Sequence, residues 1–224
     1  PFGNSITTAE HAIAMMFALA RHVPQATASM KAGRWEKSRF KGIELTDKVL
    51  GIVGLGRIGR IVADRALGLR MRVVASDPFV TAADAPDGVE MLDLDDVLQR
   101  ADLVTIHAPL MDATRGLFDR DRFAKMKPGA RLIHVARGGI VVESDLLEAL
   151  NSGHLAAAAI DVWESEPTDA DNPLVSLPNV ICTPHLGAST HEAQVRVAVQ
   201  IAEQVAAYLK SGEIKNAVNK LELN

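Results

Sequence analysis

Cysteine is almost missing from this chain. The single one, Cys182, rules out an internal disulfide and makes a reducing compartment, the cytoplasm, the natural setting. A surplus of positive charge is missing too. The 24 lysines and arginines are outnumbered by 28 aspartates and glutamates, for a net charge of −4. That balance argues against nucleic acid or a membrane surface as the main partner. Long apolar runs are also lacking. The most apolar early stretch, His11 to Ala20, is closed off by Glu10 and Arg21 and is too short to cross a bilayer, and no signal-peptide pattern is visible. His11, His22, His154 and His191 show no metal-ligand grouping, so no metal site is expected. Internal repeats and low-complexity segments are absent. The chain opens on Pro1 rather than Met, which suggests processing or trimming.

Apolar residues are present in quantity. They make up 48% of 224 residues, enough to bury a sizeable core in one large domain or two small ones. From Val49 onward, short β-branched runs alternate with amphipathic stretches. Strands are predicted at Val49–Val53, Arg72–Ser76, Leu103–Ile106, Arg131–Val135, Ala157–Val162 and Val180–Thr183. Helices are predicted at Ile58–Leu67, Leu94–Arg100, Arg120–Lys125, Glu143–Asn151 and Thr190–Lys210. This alternation means βαβ units and a parallel sheet, and the fold class follows: a doubly wound, three-layer α/β/α domain of Rossmann type. Residues 1–47 differ. They hold one apolar helix pattern, Ala9 to Ala20, then a polar stretch rich in Lys, Arg and Gly. Thr7 with Glu10, and Ser189 with Glu192, are spaced as capping boxes before the first and last helices. The division expected is a helical lead-in over 1–47, the sheet domain over 48–211, and a tail over 212–224.

The strongest local motif is Gly54-Leu55-Gly56-Arg57-Ile58-Gly59. It follows an apolar strand, opens a helix, and is answered by Asp77, 18 residues beyond Gly59, at the end of the next strand. Gly54 makes the tight turn, Gly56 lets a pyrophosphate approach the backbone, and Gly59 lets the helix lie close to the strand. The amides of Arg57 and Ile58 face the phosphates from the positive end of the helix. Asp77 would accept hydrogen bonds from the adenosine ribose and repel a 2′-phosphate. Pro78 and Phe79 supply no replacement cation, so the cofactor expected is NAD rather than NADP. A plain glycine turn is the competing reading, against which the four features agree.

Three further residues each follow a predicted strand near its carboxyl end, the edge where open α/β sheets bind ligands: Arg137, Glu166 and His185. Oxidation of a 2-hydroxy acid needs a base for the hydroxyl proton, a group that tunes the base, and a cation for the carboxylate. Histidine suits the first, a carboxylate beside it the second, and arginine the third. Each residue also has a bland reading. Arg137 fits a surface ion pair, Glu166 a solvated loop acid, His185 a packed loop histidine. Periodicity does not decide between them.

Resemblance bears on that choice. The chain resembles the nucleotide-binding domain of the D-isomer-specific 2-hydroxyacid dehydrogenases. The similarity lies in Gly54–Gly59, Asp77-Pro78, His107-Ala108-Pro109-Leu110 with Thr114 and Gly116, Ala136-Arg137-Gly138-Gly139-Ile140-Val141, Asp161-Val162-Trp163 through Glu166-Pro167, and Pro184-His185-Leu186-Gly187-Ala188-Ser189-Thr190. Order and spacing match throughout residues 45–215. The resemblance implies a substrate-orienting role for Arg137, a tuning role for Glu166 and an acid/base role for His185. It implies that Asp161 holds the nicotinamide carboxamide. Ala136 and Gly187 would line the cofactor site by backbone, with Val135, Ala188, Ala108, Pro109 and Thr114 beside them. His107 would wall the adenosine site. The opening Pro1-Phe2-Gly3-Asn4-Ser5, the Pro184–Thr190 segment and the closing Asn216-Ala217-Val218-Asn219 are most similar to the phosphoglycerate branch. That implies 3-phosphoglycerate as substrate, with hydroxypyruvate or glyoxylate as alternatives, and a homodimer through residues 5–40. The family's substrate domain is discontinuous, and its first part has no counterpart here. A module that binds NAD(H) with little turnover is therefore the second reading.

His134 reads as a core or sheet-edge histidine and Cys182 as a buried structural thiol. Met15-Met16-Phe17 reads as core or subunit interface. Trp35, in a basic and polar stretch, would be an interface anchor if exposed.

Overall fold

Parallel strands buried on both faces read as unbroken apolar runs, and β1 (Val49–Val53) is such a run, with every residue buried. A computed structural model describes residues 3–216. It contains one seven-stranded, all-parallel sheet: β1, β2 (Arg72–Ser76), β3 (Val89–Met91), β4 (Leu103–Ile106), β5 (Ala130–His134), β6 (Leu155–Ile160) and β7 (Val180–Cys182). The order across the sheet is β3-β2-β1-β4-β5-β6-β7. The direction of winding reverses between β1 and β4, which opens a crevice at their carboxyl ends.

Helices cover both faces. On one lie α1 (Ser5–Arg21) and α3 (Arg57–Gly68), which share a core with β1, β2 and the inner residues of β5 to β7 through Met15, Met16, Leu19, Val62 and Ala66. On the other lie α4 (Leu94–Arg100), α5 (Arg120–Lys125) and α6 (Glu143–Asn151), around Phe118, Phe123, Leu132 and Leu150. Met15 and Met16 are thus core, while Phe17 is exposed. Three smaller helices complete the described chain: α2 (Val23–Lys31), α7 (Pro173–Ser176) and a 3-10 turn at Lys37–Phe40. The long α8 (His191–Ser211) follows β7. Near its start, Arg196 donates to the Gly3 carbonyl at 3.0 Å and to Thr7 Oγ1 at 3.3 Å. No helix among the described residues is long and apolar enough to cross a membrane.

The structure departs from the sequence expectations at several ends. α1 begins at Ser5, so Thr7 sits inside it and caps nothing. Thr8 instead bonds back to the Asn4 carbonyl at 3.1 Å. The cap of α8 is Thr190, whose Oγ1 accepts from the Ala193 amide at 3.2 Å, one residue after Ser189. The Lys/Arg-rich stretch after α1 holds the unforeseen α2. A left-handed kink at His22 (φ 53°) separates the two helices, and Pro24 fits the first turn of α2. Edge strand β3 has no apolar run and was not expected. Residues 1–2 and 217–224, which carry parts of the family-like opening and closing segments, lie outside the described residues.

His134 ends β5 in the core, 2% exposed, and neither ring nitrogen makes a hydrogen bond of good geometry. Burial pushes its pKa down from 6.5 to about 4, against smaller pulls from the Arg137 backbone and the Asp161 charge. The native chain thus refuses a proton that the unfolded chain takes up below pH 6.5. The contribution of His134 is fully present above that pH and is lost as pH drops toward 4, by about 3 kcal/mol at pH 4. Denaturant titrations at stepped pH are expected to show that loss, and His134→Asn to make it shallower, the like contribution of His107 remaining.

Candidate active site

The glycine turn after β1 is built as the motif requires. Gly54 has φ +95°, and a side chain there would press within 3 Å of the His107 and Ala108 backbone at the end of β4. A side chain at Gly59 would collide with the Gly54 carbonyl oxygen. Gly56, by contrast, faces open space: nothing lies within 4 Å of where its Cβ would be. It is the N-cap of α3, so the open space lies at the positive end of that helix. A cleft of about 670 Å³ adjoins it. Its walls are Arg57 and Ile58 from α3, His107 to Leu110 after β4, Val135 to Arg137 after β5, and Asn4, Ser5 and Thr8 from the start of α1. That α1 contribution is the part that sequence reasoning missed. Thr7 and Glu10 marked a helix start, but no local pattern says where a helix start points.

Asp77, at the end of β2, receives the Leu55 amide on Oδ2 and the Phe79 amide on Oδ1, both at 2.8 Å. Each oxygen keeps a lone pair for a further donor, and the carboxylate is tied to the glycine turn itself. His107 turns its Nε2 toward Thr105 Oγ1 at 3.0 Å, while its buried Nδ1 has no partner. Burial, aided by nearby His134, pushes its pKa to about 3, so the ring is neutral at ordinary pH. Open space before Gly56, the first turn of α3 and a carboxylate at the end of β2 together fit a dinucleotide.

At the other end of the sheet edge, His185 and Glu166 meet. Nδ1 of His185 lies 2.6 Å from Glu166 Oε2, with both side chains partly exposed. Glu166 Oε1 also accepts the Trp163 amide at 3.1 Å. Burial raises the pKa of Glu166, but His185 and the Trp163 amide outweigh it and hold the carboxyl below its usual range. His185 sits at φ +56°, in the left-handed region. Arg137 is exposed at the end of β5, its Nη1 donating to the Ala136 carbonyl at 2.7 Å. It stands two strands away from the pair along the same edge, and Ala136 and Val135 join it in the cleft wall.

Asp161 is fully buried, and its carboxylate is spent on the protein's own donors. Oδ1 accepts from Thr183 Oγ1 at 2.6 Å and the Leu186 amide at 2.7 Å, and Oδ2 accepts from the Gly187 amide at 2.9 Å. Asp161 thus supports the His185 turn. The Gly187 amide is likewise committed inward, and Ala188 is exposed beyond it. Thr114 closes its own loop, donating to the Pro109 carbonyl at 2.6 Å and accepting the Met111 amide at 2.9 Å. Among the described residues no group of three His, Cys, Asp or Glu could hold a metal. Cys182 is half-buried, and burial lifts its thiol to about 11, which makes it a poor nucleophile.

Residues 13–187 match the family model described as "D-isomer specific 2-hydroxyacid dehydrogenase, NAD binding domain". The chain is 50% identical to the D-3-phosphoglycerate dehydrogenases of Archaeoglobus fulgidus and Bacillus subtilis, over 98% of its own length and 42% of theirs. It therefore spans about two fifths of these curated relatives. Among solved structures, a glyoxylate reductase from Paecilomyes thermophila superposes with a TM-score of 0.91 at 29% identity, covering 97% of this chain and 66% of that one. An NAD-dependent formate dehydrogenase from Staphylococcus aureus in complex with NAD gives 0.88 at 32% identity, covering 96% and 65%. With the glycine cradle, the switch-point cleft and these matches together, the chain belongs to the D-isomer specific 2-hydroxyacid dehydrogenase family and contains its NAD-binding domain.

Proposed function

We propose that this chain is the cofactor-binding part of an NAD-dependent dehydrogenase acting on a D-2-hydroxy acid, with 3-phosphoglycerate as the substrate. The observation that carries the reading is the 2.6 Å pair of His185 and Glu166 on the same sheet edge as the Gly56 cradle. Identity of 50% with curated D-3-phosphoglycerate dehydrogenases supports the substrate.

NAD, when bound, supplies the hydride-accepting chemistry. The chain's own residues do the rest. His185 takes the proton of the substrate hydroxyl on Nε2, and gives it back in the reverse direction. Glu166 fixes the ring through Nδ1, so that Nε2 is the working atom, and its carboxylate stabilises the imidazolium. Arg137 grips the substrate carboxylate. Arg57, Ile58 and Gly56 cradle the pyrophosphate, His107 to Pro109 and Val135-Ala136 wall the cofactor, and Asp77 selects the unphosphorylated ribose. Asp161, Gly187, Ala188 and Thr114 contribute by shaping the loops around it. Exposed Phe17, Val23, Met30 and Trp35 lie within residues 5–40 and supply an apolar surface for a homodimer. The lone half-buried thiol fits a cytoplasmic setting.

NADH titration of this chain tests the cofactor, and turnover of 3-phosphoglycerate with NAD, in this chain and in any longer polypeptide that carries it, tests the reaction. Binding without turnover in both would leave the module reading. Asp77→Ala is expected to weaken NAD by about tenfold or more and to narrow the preference over NADP. Because Asp77 also ties down Leu55 and Phe79, a loosened loop alone would weaken both cofactors equally. An unchanged NAD to NADP ratio would therefore overturn the ribose assignment.

A further inference from the structure

Four bonds tie the turn that carries His185 to one residue. The Asp161 carbonyl accepts the His185 amide at 2.9 Å, and its carboxylate takes Thr183 Oγ1 and the amides of Leu186 and Gly187. Holding a histidine at φ +56° costs about 1–2 kcal/mol, so the turn keeps this shape only while its anchor stays ionised and in place. A fully buried carboxylate stays ionised only when donors surround it. One of those donors comes from outside the turn. Nε2 of His11, on α1, lies 3.2 Å from Asp161 Oδ1 and 3.4 Å from Thr183 Oγ1. The Thr183 hydroxyl proton is spent on Asp161, and a carboxylate can only accept, so Nε2 of His11 carries the hydrogen. Burial pushes the pKa of Asp161 up, yet His11, Thr183 and Leu186 together hold it below the ordinary range. The other titratable groups near Asp161 are His134 on β5 and Glu166 on its own loop.

We propose that His11 is a positioning residue, which acts through Asp161 to hold the turn that presents His185 to Glu166. His11 is not among the residues that line the cleft, and its Nε2 is directed at Asp161 and Thr183. The inference rests on the dehydrogenase reading for its effect on turnover, but its structural part does not. α1 thereby joins the reacting end of the site as well as the core, and a helix that looked like packing material becomes part of the machinery.

His11→Leu keeps volume and removes the donor, while His11→Gln keeps an N–H near the position of Nε2. In an amide NMR spectrum of this chain, the Leu186 and Gly187 resonances are expected to move in His11→Leu and to stay close to wild type in His11→Gln. In an active protein, His11→Leu is expected to lower kcat about tenfold or more with NADH affinity within about threefold, and His11→Gln to restore most of kcat. Unmoved amides in a folded His11→Leu overturn the proposal, as does a His11→Gln variant as impaired as His11→Leu. If His11→Leu does not fold, His11→Gln alone decides: native amide positions with near-native kcat support the proposal, and a folded variant with displaced amides overturns it. Absence of turnover in the wild type would sink the dehydrogenase reading instead, leaving the amide resonances to decide for His11.

Discussion

His185→Asn is expected to cut turnover by about 10²–10⁴-fold, the usual contribution of a positioned proton-transfer group, while NADH affinity stays within about threefold. Asparagine is the right replacement because His185 has φ +56°, and asparagine tolerates the left-handed region better than most residues. An alanine would mix lost chemistry with a strained turn. The backbone bond from residue 185 to the Asp161 carbonyl survives the change, so the Leu186 and Gly187 amides stay put. Steady-state rates with 3-phosphoglycerate and NAD, beside fluorescence titration with NADH, check both halves. Rates within a factor of about three of wild type would remove His185 from the proton path.

Two alanines in the same glycine motif are expected to fail in opposite ways. At Gly59 a Cβ meets the Gly54 carbonyl oxygen, which is backbone and cannot swing aside. Gly59→Ala must push α3 off β1, and the expected loss is about 1–3 kcal/mol or more in unfolding free energy. At Gly56 a Cβ meets nothing, so Gly56→Ala should unfold like wild type. The methyl group would occupy the space in front of the first turn of α3, where a pyrophosphate must come closest, and NADH binding should fall by at least about tenfold. Chemical denaturation and NADH titration of both variants separate the cases. A Gly56→Ala chain that binds NADH normally would refute the cradle.

Much of this was legible because it is local. GLGRIG between an apolar run and an amphipathic one, and Asp77 at the end of the next strand, carry their geometry in their spacing. The strands buried on both faces announce themselves as runs of Val, Ile, Leu and Ala. What escaped depends on distant neighbours. β3 is a short edge strand with one exposed face, so nothing in Val89–Met91 marks it. Ser189 and Thr190 are equally good caps on paper, and the turn after His185 decides between them. The sequence does not tell that Asp161 also holds Thr183, Leu186 and Gly187, because those bonds form only once β6 and the turn after β7 are side by side. His11 and Asp161 stand 150 residues apart in the chain, and no periodicity links such a pair.

The two tryptophans have an optical consequence. Trp35 is 80% exposed, on the polar stretch after α2, whereas Trp163 is 5% exposed. The Trp163 indole donates to the Thr183 carbonyl at 3.3 Å and its amide to Glu166 at 3.1 Å. Trp35 should emit to the red and be quenched readily by dissolved iodide. Trp163 should emit to the blue and resist that quencher. With Trp35 changed to phenylalanine, the remaining fluorescence would come from a single residue whose indole is bonded to the segment that leads into the His185 turn and whose backbone amide is bonded to the carboxylate that steadies His185. The chain would then carry its own reporter of the reacting end of the site, with no dye attached.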